Sequence, residues 1–118
     1  MRIVRNLSGA VDFTVLETMT GGLDEVTLEV LDLYTQQAAL WAPMLDAKHD
    51  GCRDALHTLR GASLGIGANR LAEACAEAEV RSAVDAAPAI ARVLSALDLT
   101  LSDVAIYRHA VLIDGLRT

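Results

Sequence analysis

The stretch Ala55-Leu56-His57-Thr58-Leu59-Arg60-Gly61-Ala62-Ser63-Leu64-Gly65-Ile66-Gly67-Ala68 decides how the chain is read. On an α-helix successive side chains advance by about 100°, so residues three, four and seven apart share a face. With His57 at the origin, Arg53, Arg60, Gly61 and Leu64 fall within roughly 60° of it, whereas Cys52, Ala55, Leu59 and Ile66 collect on the far side. The segment is therefore predicted as an amphipathic helix whose apolar side enters a core and whose histidine points away from it.

Working outward, composition says what that core is made of. A chain of 118 residues suits a single domain, here 1–118. Hydrophobic residues make up 53% and aromatic ones only 3%, so the core must be assembled from Leu, Val, Ile and Ala, which suits helices at close approach. A formal net charge of −6 argues against a general nucleic-acid binder, whose phosphate contacts need a basic surface. The two cysteines, Cys52 and Cys75, fall inside helical patterns and read as buried, reduced thiols, which favours the cytoplasm. Arg2 and Arg5 are followed by no apolar run of signal-peptide length, and no apolar run of about 18 residues occurs, so a soluble protein without a membrane partner is expected.

Residues 1–12 lack a period and read as an irregular lead-in. Phe13–Met19 reads as a short helix ended by Thr20-Gly21-Gly22, because paired glycines disfavour helix and readily adopt positive φ. Asp24 is then expected to cap a long helix running to about Ala42. Within it Leu23, Val26, Val30, Leu33, Gln37 and Leu40 form an expected core stripe with one polar break, and Leu31, Tyr34, Ala38 and Trp41 a flanking stripe. So wide an apolar surface implies neighbours on two sides or an exposed patch.

Pro43 and residues 46–51 mark a turn, which Met44 and Leu45 enter as a kinked extension of the helix. The central helix is expected over Asp50 to Gly65, closed by Gly65-Ile66-Gly67, and an alanine-rich helix from Asn69 to about Ser82. A last helix begins near Asp85-Ala86-Ala87-Pro88 and reaches Leu112. Four substantial helices with short connections give an all-α, antiparallel up-and-down four-helix bundle over about residues 22–114, with a short extra N-terminal helix.

The histidine face suits a nucleophilic imidazole that accepts a phosphoryl group. A neutral ring attacks near physiological pH, Arg53 and Arg60 compensate the phosphoryl charge, Gly61 removes bulk where another molecule must approach, and Leu64 offers a docking contact. The chain has no Walker motif or kinase signature, so ATP is not expected as its direct donor. Gly65-Ile66-Gly67 is no dinucleotide fingerprint, since Arg70 stands where the third glycine belongs.

At His57-Thr58-Leu59-Arg60-Gly61, Gly67-Ala68, Arg70-Leu71, Cys75 and Glu79 the sequence resembles the histidine-containing phosphotransfer (HPt) domain family. The resemblance implies a two-component phosphorelay protein. His57 would carry phosphate on its imidazole, at Nε2, taking it from the aspartate of a receiver domain and passing it to a response regulator. It also implies receiver domains and a hybrid histidine kinase as partners, a monomeric carrier rather than an autonomous enzyme, no cofactor of its own, and Mg²⁺ on the receiver. Arg60 stands where the family usually has lysine, which replaces a compact ammonium by a planar fork. Glu79 occupies a position of Gln or Glu in the family, where it either orients the ring or is structural.

Other readings compete. A non-catalytic helical module could dock a receiver or kinase and inhibit transfer, and a dimeric phosphotransfer domain of histidine-kinase type is a third possibility. His49, Asp50 and Cys52 lack a second ligand pair at metal-site spacing. His109 beside Arg108 reads as a surface histidine, and Glu73, Glu77 and Glu79 as a solvated face.

Overall fold

The computed structural model describes residues 2–81 and 83–117. Among the described residues five helices follow one another: α1 (Phe13–Thr20), α2 (Asp24–Trp41), α3 (Cys52–Ile66), α4 (Asn69–Glu79) and α5 (Ala83–Leu116), with a 3-10 turn at Ala42–Met44 after α2. They form the all-α four-helix bundle, α2 to α5, with α1 as the additional N-terminal helix. At about 1.5 Å per residue, the 34-residue α5 spans the long dimension of a molecule 53 × 21 × 20 Å in extent. Its first half lies against α4, where Arg92 reaches Glu77 at 3.3 Å. Its second half lies against α1 and α2, where Tyr107 stacks on Phe13 and Arg108 pairs with Asp32 at 2.6 Å.

Two glycine turns set the geometry. Gly21, at φ +66°, ends α1, and Gly67, at φ +89°, ends α3. Ala68 N–H then returns to the Ser63 carbonyl at 2.8 Å, which satisfies an end carbonyl of the helix. Gly67 is also the point where α1 and α3 meet. Its carbonyl accepts from Asp12 N–H at 2.9 Å, and a Cβ there would drive into the Asp12 carbonyl. Gly65, expected to help close the helix, instead continues it, and the left-handed residue Gly67 alone supplies the stop.

In α2 the two stripes exchange roles. Leu31, Tyr34 and Ala38 are buried together with Thr27, whereas Leu23, Val26, Leu33 and Leu40 are exposed, Leu40 to 71%. The polar members of the buried stripe explain the rotation. The Thr27 hydroxyl meets that of Thr20 at 2.8 Å, and the Tyr34 hydroxyl meets Ser63 of α3 at 2.9 Å, while Gln37 stays in solvent without needing a buried partner. Asp24 does not cap α2 either. Leu23 holds the cap position without a side-chain bond, and Asp24 is the first helical residue, paired with Arg2 at 2.9 Å.

The N-terminal lead-in is irregular but firmly held. Buried Asp103 of α5 accepts from Ser8 N–H, the Ser8 hydroxyl and Ala10 N–H at 2.9–3.1 Å, so its charge is met by three donors. Arg2 bonds Asp114, Asp24 and Glu17; burial works against its charge, and the hydrogen bonds to Asp114 and Asp24 outweigh it and hold the guanidinium above its usual range. Helix α4 stops at Glu79, earlier than expected, and the expected end at Ser82 lies outside the described residues. Helix α5 starts at Ala83, so Pro88 sits inside it and not in its first turn. The helical bond Pro88 cannot donate would have gone to the carbonyl of Val84, a residue open to water.

Candidate active site

The site is built on the middle of α3 and the end of α4. Leu56, Leu59 and Ser63 turn into the core, which leaves His57 on the opposite face with its side chain 75% exposed. Glu79, the last helical residue of α4, reaches across. Its Oε1 lies 3.0 Å from His57 Nδ1 and its Oε2 3.4 Å from Arg60 Nη1, and its side chain is only 14% exposed. A carboxylate accepts and cannot donate, so the proton of the neutral ring belongs on Nδ1 and the lone pair on Nε2.

The structure places the other predicted residues around this pair. Arg53 lies one turn before His57 on the exposed face and makes no hydrogen bond or ion pair among the described residues. It borders a hollow of about 210 Å³ with His49, Leu56, Glu79 and Arg81. Gly61 and Leu64 continue the exposed face beyond His57, and a Cβ at Gly61 would meet nothing within 4 Å. No packing inside the molecule therefore requires glycine there, although glycine within a helix costs about 1 kcal/mol relative to alanine. The same holds at Gly65, which the spacing had assigned to the helix end.

Compared with known families, residues 15–105 match the Hpt domain model. The chain belongs to the Hpt domain family. Among solved structures this Hpt domain is similar to the histidine phosphotransferase ShpA from Caulobacter crescentus, at 45% sequence identity and a TM-score of 0.78, over 92% of this chain and 99% of that one. No curated protein sequence matches it.

The remaining residues of this Hpt domain fall into structural roles. Cys75 is fully buried behind the site, and burial, with the nearby Glu79 charge adding to it, pushes its thiol up to about 12. Burial likewise raises the Cys52 thiol, and both cysteines are free. His49 uses Nδ1 to accept from Gly51 N–H at 2.9 Å, a bond that orders the loop before α3. Among the described residues no three His, Cys, Asp or Glu side chains converge as metal ligands. His109 is exposed on α5. Glu73 and Glu77 are solvated, Glu77 held below the usual carboxylate range by its hydrogen bond to Arg81 and by nearby Arg92.

Glu79 departs from that solvated row because α4 ends there, beside α3, and its side chain turns inward. What the spacing did not disclose is that Arg60 and His57 share this one carboxylate. The reachable clue was the three-residue step from His57 to Arg60, which puts both on the side of α3 toward α4. No helix among the described residues is long and apolar enough to cross a membrane.

Proposed function

We propose that this Hpt domain is a phosphorelay intermediate that accepts a phosphoryl group on His57 Nε2 from a receiver-domain aspartate and passes it to a response regulator. The observation that carries the reading is an exposed imidazole whose Nδ1 is tied to a largely buried carboxylate. In the transfer, the Nε2 lone pair attacks phosphorus, an N–P bond forms, and the P–O bond of the acyl phosphate breaks with its electron pair leaving on the aspartate. The Nδ1 proton stays in place, and the ring, now positively charged, is stabilised by Glu79. The reverse sequence delivers the group to a second receiver.

In this reading Arg53 and Arg60 compensate the three phosphoryl oxygens, Gly61 leaves clearance for the partner, and Leu64 gives it an apolar contact. Mg²⁺ belongs to the receiver, and the chain works as a monomer in the cytoplasm without kinase activity of its own. The test is labelling by a receiver phosphorylated with radioactive phosphate. Wild type is expected to take up acid-labile, base-stable label, and His57→Gln none, with unchanged helical circular dichroism. Label retained in His57→Gln overturns the assignment, and docking without any label on wild type selects the inhibitory binding module instead.

A further inference from the structure

Away from the histidine face, a hollow of about 700 Å³ opens between the N-terminal lead-in and α1. None of its lining comes from α3 or α4, so it shares no residue with the site of His57. Val4 and Leu7 of the lead-in wall one side, Thr14 and Thr18 of α1 the other, and the stacked, buried pair Phe13 and Tyr107 forms the floor. The lead-in cannot collapse onto these apolar walls, because it is pinned at both ends: Ser8 and Ala10 to Asp103, and Arg2 to Asp114, Asp24 and Glu17. Val4 and Leu7 therefore stay half-buried beside a pre-formed cavity. Its volume lies within the range of about 300–1,000 Å³ that small ligands occupy.

The polar part of the lining selects the class of ligand. Asp12, Glu17 and Asp24 stand there against Arg2 alone, and Arg2 is shared with Asp114. Within the chain each of these carboxylates uses a single oxygen. Asp12 Oδ1 accepts from Thr14 N–H at 3.1 Å, Glu17 Oε1 from the Tyr107 hydroxyl at 2.6 Å and from Arg2, and Asp24 Oδ1 from Arg2 at 2.9 Å. The second oxygens of Glu17 and Asp24 have no hydrogen-bond partner among the described residues, and because both side chains reach one guanidinium they stand close enough to share one small cation. An anion is repelled by such a rim, and a sugar leaves the apolar walls unmatched.

We propose that this hollow binds a small amphipathic amine, its hydrocarbon body against Val4, Leu7 and Phe13 and its ammonium donating to the free oxygens of Glu17 and Asp24. Because the lining comes from the lead-in, α1, α2 and α5, occupancy ties these segments together and stabilises the folded chain.

The test uses hexylamine, with hexanol and hexanoate as chain-matched neutral and anionic controls, titrated into the ¹⁵N-labelled full chain. Hexylamine is expected to shift the amides of Val4, Leu7, Thr14, Thr18 and Gly22 saturably, with half-saturation on the order of 1–10 mM for a ligand of so few atoms, and to raise the melting temperature. The controls should do neither. Glu17→Gln and Asp24→Asn should each weaken binding about two- to fivefold, the range for an exposed ion pair, and Val4→Phe, which fills the hollow, should remove it, all three with unchanged circular dichroism. His57→Gln should bind as wild type does, so the outcome is independent of phosphotransfer. Equal binding of hexanol, unchanged affinity in both carboxylate variants, binding retained in folded Val4→Phe, or unsaturable shifts spread equally over exposed Glu25 and Glu29 of α2 would each overturn the proposal.

Discussion

Helices α2 and α3 lie side by side and meet the core in different ways. Helix α3 has one apolar face, with Ala55, Leu56, Leu59 and Ile66 buried, and an opposite face carrying Arg53, His57 and Leu64 in solvent. Helix α2 is apolar on two faces, and it buries the stripe that contains a threonine and a tyrosine while leaving Leu33 and Leu40 exposed. The difference teaches that apolar area selects a helix face only when the competing face is polar. Where both faces are apolar, specific partners choose. For α2 these are the Thr20–Thr27 and Tyr34–Ser63 hydroxyl pairs inside, and the ion pairs of Asp24 with Arg2 and Asp32 with Arg108 outside.

The sharpest way to break this comparison is to truncate one leucine from each stripe of α2. Leu31→Ala, at a fully buried position, is expected to cost about 2–5 kcal/mol in urea unfolding, and Leu40→Ala less than about 0.5 kcal/mol. Similar losses at both sites would show that the exposed stripe is covered in solution.

The glycines of α3 give the next largest contrast. Gly67→Ala forces a left-handed alanine, worth roughly 1–2 kcal/mol, and presses its Cβ on Asp12, so the melting temperature should fall. Gly61→Ala should leave the fold intact or stabilise it by up to about 1 kcal/mol while slowing transfer from a receiver. A Gly61→Ala variant with full transfer rate would remove the clearance role.

The hydroxyl pair joining the two helices is a smaller lever. Tyr34→Phe removes the bond to the buried Ser63 hydroxyl and is expected to cost about 1 kcal/mol, read from the urea midpoint. That same tyrosine is pushed up to about 12 by burial, against a lowering by the Ser63 bond.

The most gradual effect is with pH. Cys75 keeps its proton in the folded state up to about 12, whereas an unfolded thiol ionises from its ordinary value of 9.0. A raised folded value means that the folded state binds more protons between those limits, so stability is present in full below about pH 9 and declines above it. Cys75→Ala should flatten the decline between pH 8 and 10.5 in urea titrations. A decline of unchanged slope would assign it to the tyrosines, since Tyr107 is also held up to about 12, by burial first and then by its bond to Glu17.

Much of the site was legible in the sequence because α3 is so plainly two-sided. The exposure of His57, Arg53, Gly61 and Leu64 and the burial of Cys52 follow from helical spacing alone. The tie between His57 and Glu79 does not, because it joins residues 22 positions apart through the packing of two helices. Nor did local pattern disclose that Asp24 pairs with Arg2, for capping rules describe a helix end in isolation and a distant arginine competes for the same carboxylate.

The sequence by itself determined the helices, the glycine stops of α1 and α3 and the histidine face, since glycine conformations and the alternation of polar and apolar residues act locally. Gln37 was the one local hint that its own stripe should stay in water. Only the tertiary structure decided which face of α2 is core, how the N-terminal segment is clamped by Asp103 and Arg2, and that Arg60 and His57 meet on Glu79. Those outcomes depend on hydrogen bonds and ion pairs between distant residues, whose partners are fixed only once the helices are docked.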